Sequence, residues 1–435
     1  MVFVYSPGIY HNGHPAFRYL CTQIMTTRFF ILILLLIGID LYSFQWLRHL
    51  THQLSASWKW GAYAFFWAGS LVTLILFLFT FIGQTDKIPP TLLLYLRAFA
   101  FISYLSKLAS LPVLLIDDLR RGAGQLLNML RPSYAFSPSR SKFLSSFSAL
   151  VAGLPFVTLL HGMARNAYRY KIHKVKIPVK NLPPALEGLR IVQISDIHSG
   201  SFTSKEPIMK SVELVSGLNP DLIFFTGDLV NSRATEIEPY LDIFSNMKGK
   251  HGSYSVLGNH DYGDYVQWED DGSKQANFEK LKSHHAAMGW KLLLNQHDEI
   301  QVNGHTISII GVENFSASKR FSKYGNLSKA YEGVSKDSLK LLLSHDPSHW
   351  EYEVTTQYPD ISLTCSGHTH GFQFGIEIPG YFRWSPSQYV YKQWAGLYQQ
   401  GLQYLYVNRG FGFLAYPGRV GILPEITAFE LTAAV

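Results

Sequence analysis

Cysteine is nearly absent. The 435 residues contain two, Cys21 and Cys365, and neither sits in a CxxC or Cys/His spacing, which excludes a disulfide framework and a thiolate zinc site. Charge is scarce as well, at 16% of residues against a usual ~25%. With 14% aromatic and 47% hydrophobic residues, that shortage excludes a disordered chain and indicates a large apolar burden. A third shortage is local: the first 180 residues hold no Glu, only four Asp, and 18 Lys plus Arg, a balance of +14. The remainder holds 20 basic and 27 acidic residues, a balance of −7. The basic excess therefore belongs to one half, and the other half has the wrong sign for a domain that grips a nucleic-acid backbone. Nucleic acid is not an expected partner.

Long apolar runs fill the first half. Residues 61–83 carry no charge, and 23 residues at about 1.5 Å each cross a hydrocarbon core of ~30 Å. Residues 29–47 are nearly as apolar but contain Asp40, and 143–163 are uncharged around Pro155. Residues 91–116 are apolar apart from Arg97, Lys107 and Pro112. Residues 1–165 thus read as a transmembrane domain of about four helices. The first run follows 28 residues and lacks a small-x-small cleavage site after Leu47, as expected of a retained anchor rather than a signal peptide. Asp40 is an intramembrane carboxylate, with Arg97 or Lys107 as its possible partner, or else a helix-packing residue. Nine basic residues fall on one side of four spans (Arg18, Arg28, Lys87, Arg165, Arg169, Lys171, Lys174, Lys176, Lys180) and seven on the other (Arg48, Lys59, Arg120, Arg121, Arg131, Arg140, Lys142). This count leans toward cytoplasmic termini. The basic run over 166–181 reads as a juxtamembrane linker, either a topology signal or a seat for anionic headgroups.

From 182 to 435 the pattern changes to short apolar runs that end in polar loops. Leu189–Ile194 leads into Asp196 and His198, Leu222–Phe225 into Gly227 and Asp228, and Tyr254–Leu257 into Gly258-Asn259-His260-Asp261. Leu341–Leu343 leads into His345, and Ile361–Thr364 into Gly367-His368-Thr369-His370. Short apolar runs bounded by turns read as buried strands, and loops at strand ends are where ligands gather. One DxH or HxH alone is most often a surface or hydrogen-bonded group. Five such blocks, each directly after a strand, form a mixed oxygen and nitrogen ligand set suited to Mn, Fe, Zn or Mg. A pair of such cations clamps the attacking and leaving oxygens of a phosphoryl displacement.

In this order the DxH, GD, GNHD, H and GHTH blocks resemble the signature of the calcineurin-like metallophosphoesterases. The run Leu182–His198 resembles most closely their bacterial membrane-anchored branch. The resemblance covers about Leu182–Leu431. It implies an α/β fold, a four-layer sandwich of two mixed sheets flanked by helices. It also implies two divalent cations, Mn favoured: Asp196, His198 and His370 would hold one, Asn259, His345 and His368 the other, and Asp228 would bridge them. His260 would act on the leaving oxygen as a proton donor, or stabilise the transition state. Many relatives carry an Asp three positions after the bridging Asp to orient that histidine; this chain has Asn231, and an amide cannot favour the imidazolium as a carboxylate does. Asp261 and Asp346 are supporting groups or turn caps. The implied activity is a membrane-anchored phosphoesterase or pyrophosphohydrolase whose bridging hydroxide attacks phosphorus in line. Its expected substrate is a phospholipid or a lipid-linked diphosphate such as UDP-2,3-diacylglucosamine of the lipid A pathway. The alternatives are a phosphodiesterase for a soluble nucleotide and a membrane sensor that binds metal without turnover.

The stretch Tyr381–Pro417 is rich in Tyr, Trp and Phe. It reads either as ordinary packing after the last block or as a wall that admits a lipid-linked substrate. Within it Arg409 lies in a glycine-rich turn and is, with Asn259, a candidate for touching the phosphate. His284 and His285 are adjacent, so they diverge on a strand and need no metal role.

Overall fold

The computed structural model describes residues 15–130, 138–378 and 380–434. Arg131, one of the charges counted above, lies outside them. The chain divides into two units, Met1–His161 and Gly162–Val435.

Among the described residues of the first unit, four helices, α1 Pro15–Leu50, α2 Ala56–Phe81, α3 Pro90–Leu130 and α4 Pro138–His161, carry four stretches long and apolar enough to cross a membrane. Large apolar side chains such as Leu34, Leu71 and Leu150 point outward, as lipid-facing residues should. The third helix departs from expectation: it runs on past residue 116 to Leu130, 41 residues in all. At about 1.5 Å each this is roughly twice the hydrocarbon thickness. The helix runs on through Pro112, Gly122 and Gly124, and past residue 116 Arg120 and Arg121 pair back to Asp117 and Asp118 at 2.9 and 2.6 Å, one turn away. Inside the bundle Asp40 is buried and takes Lys107, not Arg97, as partner: Lys107 Nζ lies 2.7 Å from Asp40 Oδ1. Tyr104 donates to Asp40 Oδ2 at 2.8 Å, and Lys107 donates to Ser70 Oγ at 2.8 Å.

Among its described residues the second unit contains fourteen strands: β1 Lys171–Val179, β2 Arg190–Ile194, β3 Leu222–Phe225, β4 Ser253–Ser255, β5 Lys291–Leu292, β6 Gln296–Val302, β7 His305–Gly311, β8 Leu339–Leu343, β9 Ile361–Ser366, β10 Ile376–Ile378, β11 Phe382–Trp384, β12 Gly396–Gln400, β13 Gln403–Val407 and β14 Glu425–Ala433. They form two six-stranded sheets, ordered β1-β14-β2-β3-β4-β5 and β12-β13-β9-β8-β7-β6, and a separate ribbon β10-β11. Both large sheets are mixed. β14 pairs antiparallel with β2, while β2, β3 and β4 run parallel; β7, β8, β9 and β13 run parallel between antiparallel β6 and β12. Residues 166–181 are not a free linker, because β1 occupies most of them and pairs with β14 along its whole length.

Strand alternation explains the layers. Ile191, Phe224 and Tyr254 meet Ile309, Leu341, Leu363 and Cys365 between the sheets. Their sequence neighbours Val192, Ile223 and Phe225 turn the other way, onto Ile208, Val212 and Leu281 of helices Glu206–Gly217 and Asp271–Ala287. On the far side Ile310, Leu342 and Leu405 pack against Leu327, Trp350 and Val354. The result is helix, sheet, sheet, helix, and the carboxyl ends of β2, β3, β4, β8 and β9 share one rim. Gln193 bridges the two sheets just below it, donating to Thr226 Oγ1 at 3.0 Å and to the Ser366 carbonyl at 2.8 Å.

Candidate metal centre

Three of the five rim loops, those after β2, β3 and β9, leave their strands through backbone turns that ordinary residues avoid. Asp196, His198, Asp228, His368 and His370 all have φ between 47° and 71°, left-handed values that persist only where the surroundings over-determine them and that cluster at functional sites. Two glycines make the convergence possible. A Cβ on Gly258 would stand 2.2 Å from Asp228 Oδ1, and one on Gly367 would stand 1.9 Å from Ser195 Oγ.

The side chains gather into two groups, Asp196 with His198 and His370, and Asp228 with His345 and His368, the ligand atoms of each lying within 4.8 Å of one another. Nitrogens face nitrogens: His198 Nε2 is 3.1 Å from His370 Nε2, and His368 Nδ1 is 3.1 Å from His345 Nε2. Asp228 Oδ2 lies 3.5 Å from His198 Nε2 and 3.3 Å from His345 Nε2, so one carboxylate oxygen serves both groups. Asn259 joins through an orphan: its Nδ2 donates to the Tyr265 hydroxyl at 2.8 Å, while its buried Oδ1 has no partner. Converging lone pairs, buried carboxylates and an unpaired amide oxygen fit a pair of cations and are costly without them.

The electrostatics agree. Burial opposes ionisation of Asp228, yet His345 and His260 hold its carboxyl well below the usual range. Burial likewise opposes ionisation of Asp196, but His370 holds it low. Burial lowers His345 too, but Asp228 outweighs it and pushes the imidazole up to about 10; the field at that position favours a cation. Burial lowers His198 and His368, keeping them neutral as ligands require.

The outward nitrogens set the tautomers. His345 donates from Nδ1 to the Thr226 carbonyl at 2.7 Å, leaving Nε2 for the site. His198 Nδ1 lies 3.2 Å from Asn231 Oδ1, which likewise leaves Nε2 inward. His368 sets Nε2 against the Tyr391 hydroxyl at 2.7 Å, leaving Nδ1 inward. The Asn231 amide therefore supports His198 and not His260, correcting the expectation from sequence. What faces His260 Nδ1, at 2.7 Å, is the Asn231 backbone carbonyl, so the acceptor does not depend on that side chain. The His260 ring lies 4.9 Å from His198 and 4.4 Å from Tyr265.

Asp261 ties the loops together, accepting N–H bonds from Gly258, Asp228, Leu229 and Val230. Burial beside Asp228 pushes its carboxyl up to about 7 against those donors. Asp346 serves as a turn cap: Oδ1 accepts from Ser348 N at 2.8 Å, while Oδ2, 3.6 Å from His368 Nε2, is beyond hydrogen-bond reach. Arg409 does not join the group. Its guanidinium is buried between Glu425 at 2.6 Å and Glu377 at 2.5 Å, so its charge is already matched. His284 and His285 lie on a helix, not a strand, with His285 buried against Ser255 Oγ at 3.0 Å. Sequence reasoning missed Tyr265 and Phe321, whose ring packs edge-on to His368 at 4.7 Å; loop aromatics between motif blocks carry no periodic signal. Tyr391 belongs to the aromatic stretch singled out in the sequence.

A family model described as calcineurin-like phosphoesterase matches residues 189–372, and the transmembrane domain described for calcineurin-like phosphoesterases matches residues 27–167. A Danio rerio transmembrane protein with metallophosphoesterase domain is 32% identical over 320 residues, 72% of this chain and 68% of the relative. This chain belongs to the calcineurin-like metallophosphoesterases. It is accordingly a membrane-associated, metal-dependent phosphoester hydrolase of a family that uses a dinuclear metal centre. Bacterial relatives include the Bacillus subtilis metallophosphoesterase YkuE, 30% identical over 67% of this chain and 97% of the relative. The Chlamydia muridarum UDP-2,3-diacylglucosamine pyrophosphatase LpxG is 27% identical over 52% of this chain and 79% of the relative.

Proposed function

We propose that this metallophosphoesterase hydrolyses a lipid-linked diphosphate of the UDP-2,3-diacylglucosamine class, with two Mn²⁺ ions, on the cytoplasmic side of the membrane it spans. Asp196, His198 and His370 hold one ion, Asn259, His345 and His368 the other, and Asp228 is shared. The observation that carries the reading is Asp228 Oδ2, within 3.5 Å of a histidine nitrogen of each group. The likeness to LpxG and the four spans favour a lipid-linked substrate over a soluble nucleotide, and nine basic residues against seven favour the cytoplasmic side.

Bound cations at these residues supply a nucleophile from water at neutral pH and neutralise the phosphoryl oxygens. The chain supplies the rest. Asp261 fixes the Asp228 backbone by accepting its N–H, and the backbone N–H of His260, which donates to Asp228 Oδ1 at 2.9 Å, keeps the shared carboxylate from rotating. As the P–O–P bond breaks, His260 gives a proton from Nε2 to the departing oxygen while the Asn231 carbonyl holds Nδ1–H. Full-length protein assayed with Mn²⁺ on UDP-2,3-diacylglucosamine, bis(p-nitrophenyl) phosphate and a cyclic nucleotide tests this. Metal-dependent release of UMP is expected. Turnover confined to the cyclic nucleotide rejects the lipid-linked substrate, and no metal-dependent hydrolysis of any of the three rejects the enzymatic reading.

A further inference from the structure

The ribbon β10-β11 is inside out. In its register Ile376 faces Trp384, Glu377 faces Arg383 and Ile378 faces Phe382, so the apolar and charged residues occupy opposite faces. Water-soluble sheets turn the apolar face inward. Here Glu377 and Arg383 turn toward the protein: Glu377 pairs with buried Arg409, and Arg383 donates to the Ala395 carbonyl at 2.6 Å and lies over the Trp394 and Tyr398 rings. Ile376, Ile378 and Phe382 are each 52% exposed, and Tyr381 at the turn is 91% exposed. Two ion-paired and cation–π anchors thus hold an apolar face in the open, where it costs solubility unless something covers it.

The foot of the ribbon points to the occupant. Gly375 N donates to the Val420 carbonyl at 2.9 Å, and Gln373 Nε2 donates to the Tyr416 and Gly418 carbonyls. The same turn grips Gly162–Asn166: Arg419 N donates to the Gly162 carbonyl at 3.3 Å, and Asn166 Nδ2 donates to the Arg419 carbonyl at 3.2 Å. Gly162 follows the last residue of α4, so the ribbon is rooted on the turn that receives the chain from its fourth span. Exposed Ile, Phe and Tyr beside a membrane exit match the residue types that settle at the headgroup and acyl-chain boundary.

We propose that β10-β11 is an interfacial anchor that inserts Ile376, Ile378, Tyr381 and Phe382 into the lipid leaflet. The chain that leaves its second strand is fastened to the metal centre. Ser385 Oγ donates to the Gly371 carbonyl at 2.7 Å, and Tyr391 touches His368. On the lipid-linked diphosphate reading, the anchor sets the mouth of the site at the depth of the substrate's headgroup; the insertion itself does not rest on that reading.

The test is positional. Full-length protein carrying Cys21→Ser and Tyr381→Cys is spin-labelled, reconstituted in phosphatidylcholine and phosphatidylglycerol nanodiscs, and measured by power saturation against oxygen and a water-soluble nickel chelate. A second label at Phe382→Cys guards against local misfolding, and Gln301→Cys on β6 serves as the solvent reference. Insertion to a depth of about 5–10 Å makes both ribbon labels accessible to oxygen and shielded from nickel relative to residue 301. Nickel accessibility equal to that at 301 overturns the proposal. So does shielding accompanied by spin–spin broadening, which assigns the ribbon to a second copy of the chain. The labels report depth and not turnover, so a failed substrate assignment leaves their result standing.

Discussion

Replacing Gly258 by alanine tests the convergence of the two loops that carry Asp228 and Asn259. The added Cβ would stand 2.2 Å from Asp228 Oδ1 and 2.7 Å from both Asp228 N and His345 Cε1. Non-bonded atoms settle at about 3.5 Å, so the Asp228 carboxylate must retreat by about 1.3 Å. It has little freedom to do so. Oδ1 accepts from His260 N, the Asp228 N–H is held by Asp261, and Gly258 N is held by the same Asp261 oxygen, each at 2.9 Å. Either the shared oxygen leaves His198 and His345, or Asn259 swings away with its loop. A misplacement of about 1 Å costs on the order of 10² in rate, or about 2.7 kcal/mol of transition-state stabilisation. Cation affinity is expected to fall by roughly 10–100-fold, as when the support of a ligand is lost. The assay is kcat on bis(p-nitrophenyl) phosphate at saturating Mn²⁺, with elemental analysis after gel filtration and a melting curve to show that the fold survives. Gly217→Ala, where a Cβ meets nothing within 4 Å, serves as the silent control. A Gly258→Ala enzyme with both ions bound and an unchanged kcat would refute the packing argument.

His260→Asn should keep both ions yet lose about 10² to 10⁴ in kcat on an alkyl phosphodiester and much less on a p-nitrophenyl ester; equal losses on the two, or lost metal, would exclude the proton-donor role. Burial opposes ionisation of Glu425, but Arg409 and His173 outweigh it and hold its carboxyl at about 2, against an ordinary 4.5. Because the folded value lies below the unfolded one, this stabilisation is complete above about pH 4.5 and fades as pH falls toward about 2, a loss of about 3 kcal/mol. Glu425→Gln should therefore flatten the acid side of the melting curve, and an unaltered slope contradicts the assignment. In the bundle, Lys107→Met strands Asp40 and should cost about 3–5 kcal/mol, much of it recovered in Asp40→Leu/Lys107→Met. Thermal aggregation in detergent measures this, and a double variant as unstable as the single one rejects the pairing.

The five metal blocks were legible because each is contiguous and follows directly on an apolar strand; register, not long-range packing, delivers those residues to the rim. What lay between the blocks was not. Tyr265 reaches Asn259 from a turn whose composition resembles any loop, as does Phe321, which packs on His368. Arg409 had the local look of an anion site, and only the fold brings Glu377 and Glu425, distant in sequence, onto its guanidinium. β1 was hidden by its own composition, since Lys171, Lys174 and Lys176 on a strand look like the basic fringe of a membrane span. The helix bearing His284 could have been read: Asp270 caps it, its side chain accepting from Ser273 N at 2.6 Å, a start signal visible in sequence.

The order of the first sheet has a consequence for biogenesis. β14, the last strand among the described residues, lies between β1 and β2, among the earliest of the catalytic unit. At about 5–20 residues per second, the stretch from β2 to β14 takes roughly 10 to 50 s to synthesise. Throughout that interval the spans are already available for insertion, while β2 presents an unpaired edge and β1 has no neighbour in the sheet. The catalytic unit therefore closes only once β14 has been synthesised, from a chain already tethered to the bilayer. A nascent chain stalled before residue 425 leaves an open sheet edge at the membrane, a natural target for quality-control proteases.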